Sequence, residues 1–257
     1  MTLILAYMYG YPYGGWGYQF HWWDLLVIPG VLLGMYAQMK LSSTYSRYME
    51  EPVANGLTGA EAARRVLDAA GLRSVEIYEV PGHLTDHYDP TKRALFLSTE
   101  NYHGASISAV GVAAHEAGHA LQHKEAYAPL HLRMSMVPVV NIASMGAWVA
   151  FFLGMVLSGI RAVSPGTGTL LMEIGVGLFS IMTLFHLVTL PVEFDASSRA
   201  KRQLLVLGLV TREEQEGVAS VLSAAALTYV AALTASLFEL LKWIMILRSV
   251  NSRDDDR

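Results

Sequence analysis

Residues 111–123 read GVAAHEAGHALQH. His115 and His119 stand four apart, so on a helix they project from one face, one turn from each other. The residues before and between them are glycine, alanine and valine, small enough for that face to pack inside a folded domain. His-Glu-x-x-His on a helix lets both imidazoles reach one zinc ion at about 2.0–2.1 Å, while the glutamate activates the water bound to it. His115 and His119 are therefore candidate ligands and Glu116 a candidate general base, on a helix that must be buried.

His123 continues the four-residue spacing but cannot complete the set. It lies about 12 Å along the axis from His115 at 1.5 Å per residue, and the ion must sit between the levels of His115 and His119. The metzincin pattern places a glycine and a third histidine three and six residues after the second one, where this chain has Gln122 and Glu125. That class is excluded. A catalytic zinc still needs three protein ligands and an open position for water.

Composition points to where the third is found. Of the 257 residues 53% are hydrophobic and only 16% charged, against about a quarter charged in ordinary soluble domains. Four windows, about 22–39, 134–160, 169–191 and 218–247, are long and apolar enough to cross a bilayer. The first is short and contains Pro29 and Gly30. After Glu125 the next acidic residues are Glu173, near the start of the third window, and Glu193, just past its end. The second window leaves the histidine side and the third returns to it, so Glu193 arrives on the correct face and Glu173 on the wrong one. Glu193 is the expected third ligand.

It sits in HLVTLPVEFDASSRA, residues 186–200. Pro191 is expected to kink or restart the helix there. Ser197 and His186 share the glutamate's face and are candidates to support the site, whereas Asp195 is turned away and is placed to pair with Arg199 four residues on.

The segment between the first two windows reads as a small α+β domain. Thr58 and Glu61 have the spacing of a capping box ahead of AARRVLDAA, with Gly71 where a helix ends. SVEIYEV and ALFLS, residues 74–80 and 94–98, alternate as strands and flank the turn-rich PGHLTDHYDPTKR, which predicts a hairpin. His83, Asp86 and His87 read as polar turn residues. The whole is then a mainly α integral membrane protein with about four transmembrane helices and a small α+β zincin-like domain: an aromatic tail and first span over 1–40, the catalytic domain over 41–133, a transmembrane hairpin over 134–191, a helix with the third ligand and a basic loop over 192–217, and a fourth span with a charged tail over 218–257. Residues 1–26 have no basic start and no small-residue cleavage site, so they do not read as a signal peptide, and their aromatics, ending in Trp22 and Trp23, resemble an interfacial belt.

Of 18 Lys and Arg, nine lie from Lys40 to Arg133 and four from Arg199 to Arg212. Both groups fall on one side of four spans, and the positive-inside rule makes that side cytoplasmic. Cysteine is absent, which excludes disulfides, cysteine zinc sites and a thiol nucleophile. The net charge of −4 with no basic stripe argues against nucleic acid. The expected partners are the lipid bilayer and a peptide or membrane-protein substrate.

The stretches GHLTDHYDP, LFLS, GVAAHEAGHALQH, APLHLRMSMVP and LPVEFDASSRA together resemble the YugP-like neutral zinc metallopeptidases of bacterial membranes, over nearly the whole chain from about residue 41 to 247. More distantly, the order of HExxH, two membrane helices and a glutamate helix is similar to the HtpX-like and CAAX-prenyl-protease metallopeptidases. The resemblance implies a multi-pass membrane zinc peptidase of the bacterial plasma membrane with one zinc ion per chain, ligands at His115, His119 and Glu193, and Glu116 as the catalytic glutamate. The distant relatives carry an aspartate four residues after the ligand glutamate, where this chain has Ser197, so that part of their arrangement does not carry over.

Amide hydrolysis at such a centre also needs a donor to the developing oxyanion. His186, Tyr102 and His103 are candidates. The rival expectation is a membrane protein with a structural or scaffolding zinc, which would be closed by a fourth protein ligand such as His83, His87 or His131. Within the fourth window Glu239 and Lys242 are charges in an apolar run. Three residues apart, they are placed to pair with each other or to act in substrate entry.

Overall fold

The computed structural model describes residues 21–160 and 166–255, and the aromatic tail before residue 21 and the residues from Arg161 to Pro165 lie outside it. A 3₁₀ turn, Trp22–Leu26, runs into α1 (Val27–Met49). There follow α2 (Gly59–Ala69), β1 (Glu76–Val80), β2 (His87–Asp89), β3 (Ala94–Ser98), α3 (Thr99–His103), α4 (Ile107–Lys124), α5 (Ala128–Ile160), α6 (Thr167–Val206) and α7 (Arg212–Asp255). Four stretches, Trp22–Met49, Ala128–Gly159, Thr167–Val206 and Arg212–Ser252, are helical, long and apolar enough to cross a membrane. Each helix outruns its hydropathy window. The windows stop at the first polar residues, but the backbone keeps its hydrogen bonds wherever the helix goes on packing in a folded domain. The clearest case is α6, which passes unbroken through Pro191. Proline removes one bond to the preceding turn, yet beyond it Val192, Ala196, Ala200 and Leu204 are all completely buried.

The described residues divide into two compact units, 21–32, 138–160, 166–184 and 233–255 in one and 33–137 and 185–232 in the other. In the first, Phe151, Met172, Phe179 and Trp243 form the buried cluster. Small residues let these helices approach, as membrane helices require: a Cβ at Gly175 would stand 2.7 Å from that of Phe151. Glu239 accepts hydrogen bonds from Lys242 and from the indole of Trp243, both at 2.7 Å.

The second unit has α4 at its centre. Ser106 caps its start by accepting from the amide of Ala109 at 3.2 Å, and Ala109, Val110, Ala113, Ala114, Ala117 and Ala120 are all buried. The apolar face of α2, Ala62, Ala63, Val66 and Leu67, packs in the same core. Its start is a capping box in which Thr58 and Glu61 bond each other's backbone amides at 2.9 and 3.2 Å, and Gly71 ends it at φ +73°.

The sheet departs from the expected hairpin. Its order is β1-β3-β2, with β1 parallel to β3 and β2 antiparallel to it. The hairpin is formed by β2 and β3, and β2 lies inside the stretch read as turn. ALFLS is buried at four of its five positions and EIYEV at none. A strand buried on both faces takes the middle of a sheet, and the exposed strand is left at an edge.

Candidate metal centre

Two helices bring the predicted ligands together. On α4 His115 and His119 point the same way, with ring centroids 4.8 Å apart. On α6 Glu193, 2% exposed, presents Oε2 to both, 3.2 Å from Nε2 of His115 and 3.6 Å from Nε2 of His119. The helices meet so closely because the residue just before His119 is Gly118, where a Cβ would stand 2.6 Å from the carbonyl oxygen of Ala196. A side chain at position 118 would press on that carbonyl and hold the glutamate's helix away.

The residues present fit a zinc ion. Two imidazole nitrogens and one carboxylate oxygen lie within 4.8 Å of one another. Ligands about 2.0–2.2 Å from a tetrahedral zinc stand about 3.3–3.6 Å from each other, close to the separations observed. Burial disfavours a charged His119, but the hydrogen bond and charge of Glu193, with the charge of Glu116 and the bond to Gln122, hold its pKa above the usual histidine value. The pocket thus favours a cation between the rings and the carboxylate.

The second oxygen of Glu193 is occupied, since Arg133 at the start of α5 donates to Oε1 at 2.7 Å. That leaves Oε2 to face the imidazoles. Ser197 lies 3.1 Å from Nδ1 of His115. Nδ1 of His119 meets Oε1 of Gln122 at 3.0 Å, and the amide of Gln122 donates to the carbonyl of Val192 and to Asp195, each at 2.8 Å. Asp195 also pairs with Arg199 at 2.5 Å, so it reaches the site through Gln122 although it is turned away from Glu193.

A cavity of about 170 Å³ opens beside these groups. Its polar lining includes Asp86, His115, Glu116, Glu193, Ser197 and Tyr229, with Val221, Leu222, Ala225 and Ala226 of α7 among the apolar walls. Glu116 is 8% exposed there, and Tyr229 lies within electrostatic reach of Glu193, Glu116 and Arg133.

Other predicted residues lie elsewhere. His186 is half-buried with its ring against Phe185 and does not line the cavity. Tyr102 lines a separate groove with Arg64 and Glu76, and His103 pairs with Glu79 at 3.1 Å. His123 bonds the hydroxyl of Tyr88 at 2.9 Å and stands edge-on to His131. His83 pairs with Glu100 and His87 stacks on Phe96. Among the described residues the donor cluster is His115, His119 and Glu193, without His83, His87 or His131.

Sequence reasoning missed Gln122, Arg133 and Tyr229. Gln122 was visible in principle, three residues after His119 on the same helical face. Arg133 gave a weaker signal as the last charge before an apolar span. Tyr229 gave none, because nothing local marks one tyrosine on a long helix as facing a site. Asp86, read as a turn residue, is held by the backbone amide of Ser98 and by Asn101, each at 2.8 Å, which fixes the turn at the cavity wall.

Residues 23–248 match the model of a family described as "Putative neutral zinc metallopeptidase". The chain is 48% identical over 231 residues to the "Putative membrane protease YugP" of Bacillus subtilis (strain 168), covering 90% of this chain and 98% of that protein. No solved structure matches.

Proposed function

Because the chain belongs to this family of zinc metallopeptidases, we propose that it is a membrane-embedded endopeptidase holding one zinc ion on His115, His119 and Glu193. The observation that carries the reading is that three ligating atoms lie within 4.8 Å of one another beside a cavity that Glu116 also lines. Bound there, zinc would supply a Lewis acid and a water of lowered pKa. Glu116 takes the proton of the attacking water and returns it to the leaving amine. Arg133 occupies the outer oxygen of Glu193 and so holds its carboxylate in one orientation. Tyr229, which lines the same cavity as Glu116, offers the hydroxyl to donate to the developing oxyanion. A structural zinc would be closed by a fourth protein ligand, and a cluster of three is what favours catalysis.

The proposed substrate is a peptide or a membrane-protein segment, and the distribution of Lys and Arg supports a site on the cytoplasmic face of a bacterial plasma membrane. Membranes from cells expressing the wild type or Glu116→Gln, compared by mass spectrometry of their peptides, test the assignment. The variant keeps its zinc and loses at least about 100-fold in proteolysis. Equal cleavage by a zinc-loaded Glu116→Gln protein would refute it.

A further inference from the structure

The two histidines of the candidate centre are supported differently from behind. Nδ1 of His115 faces the hydroxyl of Ser197 at 3.1 Å. A hydroxyl rotates and can donate or accept, so it leaves the tautomer of His115 open. Nδ1 of His119 faces the side-chain oxygen of Gln122 at 3.0 Å, and Gln122 is completely buried.

The amide nitrogen of Gln122 has two partners, the carbonyl of Val192 and Oδ2 of Asp195, each at 2.8 Å. Neither oxygen can donate. Turning the amide over would set its carbonyl against both, replacing two hydrogen bonds by two contacts between acceptors in a buried place. The amide therefore has one orientation, fixed by the network around it. Asp195 is fixed in turn by Nε of Arg199 at 2.5 Å, whose NH1 meets Glu125 at the end of α4 at 2.5 Å.

A carbonyl oxygen accepts and cannot donate, so Nδ1 of His119 must carry the hydrogen. We infer that Gln122 is a positioning residue that fixes His119 as the Nδ1–H tautomer, with the Nε2 lone pair aimed at the metal position. One side chain thereby ties the ring of one ligand to the backbone beside another, since Val192 precedes Glu193. The consequence for zinc rests on the reading of the centre given above, whereas the tautomer is a property of the chain with or without metal.

The full-length protein with ¹⁵N-labelled histidine, in detergent micelles at alkaline pH, reports the tautomer through long-range ¹⁵N–¹H couplings, with His119→Asn assigning the signals. The expected result is hydrogen on Nδ1 of His119 in both the metal-free and the zinc-loaded protein, and hydrogen on Nε2 in the metal-free protein overturns the inference. In a chelator competition Gln122→Met lowers zinc affinity about 10–100-fold, and affinity within threefold of wild type in a folded variant overturns it also. Should Gln122→Met fail to fold, the wild-type couplings decide alone. Should the wild type bind no zinc, the peptidase reading fails while the metal-free spectrum still decides this one.

Discussion

Two carboxylates sit in long apolar helices of this protein, and they are satisfied in opposite ways. Glu239 finds Lys242 and Trp243 within four residues of itself on the same helix. Glu193 is met by Arg133, His115 and His119, which lie 60, 78 and 74 residues away in sequence on two other helices, and by Tyr229 on α7. Leaving a carboxylate unpaired in such surroundings is costly, so both have partners, but only one has partners that had to be brought from elsewhere. A charge closed within its own helix asks nothing of the rest of the fold. One whose partners sit on three other helices requires those helices to be held in register, and that is the arrangement a reactive centre needs.

The comparison breaks or stands first on Glu193→Gln. Removing the anion takes away one of the three proposed ligands, so zinc affinity should fall by more than the 10–100-fold typical for losing a partner behind a ligand. Arg133 is 29% exposed in its side chain and can turn toward water, which keeps the loss of stability at about 1–3 kcal/mol. Chelator competition reads the first effect and chemical unfolding in micelles the second. A variant that kept wild-type zinc affinity would put Glu193 in the same class as Glu239.

The same contrast explains what could be read without a structure. The HExxH helix, the capping box at Thr58 and Glu61 and the pair Glu239–Lys242 are all written within four residues, the distance over which helix geometry alone dictates neighbours. Glu193 could be chosen over Glu173 because alternation of spans across a bilayer is itself a long-range rule. Nothing comparable announces that Arg133 holds the outer oxygen of that glutamate or that Tyr229 faces it. The parallel pairing of β1 with β3 was hidden for a related reason. Two strand-like runs flanking a turn-rich stretch look alike whether they pair with each other antiparallel or admit a three-residue strand between them, and burial decides the outcome only once the core exists.

A smaller effect follows from the charge that Glu193 lends to its neighbours. It raises the pKa of His119 against the opposing influence of burial, so in the metal-free protein the proton and zinc compete for this site at a pH above the usual histidine value. Below the raised value apparent zinc affinity should fall about tenfold per pH unit, and above it level off. The stability of the metal-free protein runs the other way. A folded-state pKa above the unfolded one gives stability that is fully present below about pH 6.5 and lost as the pH rises through the raised value. In Glu193→Gln burial is opposed only by the charge of Glu116 and the bond to Gln122, and the inflection in residual zinc binding should move to lower pH. Calorimetric zinc titrations across pH on both proteins test this, and an inflection that does not move would mean that Glu193 is not what holds the proton.

The smallest effect belongs to Glu239, and its size is the sharpest test of local closure. In Glu239→Gln the side-chain oxygen can still accept from the indole of Trp243, which is 1% exposed. Only the ion pair with Lys242 is lost, and a lysine 21% exposed in its side chain can extend its ammonium toward a more polar region. The expected loss is about 1 kcal/mol in unfolding free energy. Glu239→Ala also strands the buried indole N–H and should cost about 1–3 kcal/mol. In both variants zinc affinity and proteolysis stay at wild-type levels, because the partners of Glu239 are confined to its own helix and the partners of Glu193 do not include them. A tenfold loss of zinc affinity in Glu239→Gln would show that local closure does not insulate a charge, and would return Glu239 and Lys242 to a part in substrate entry.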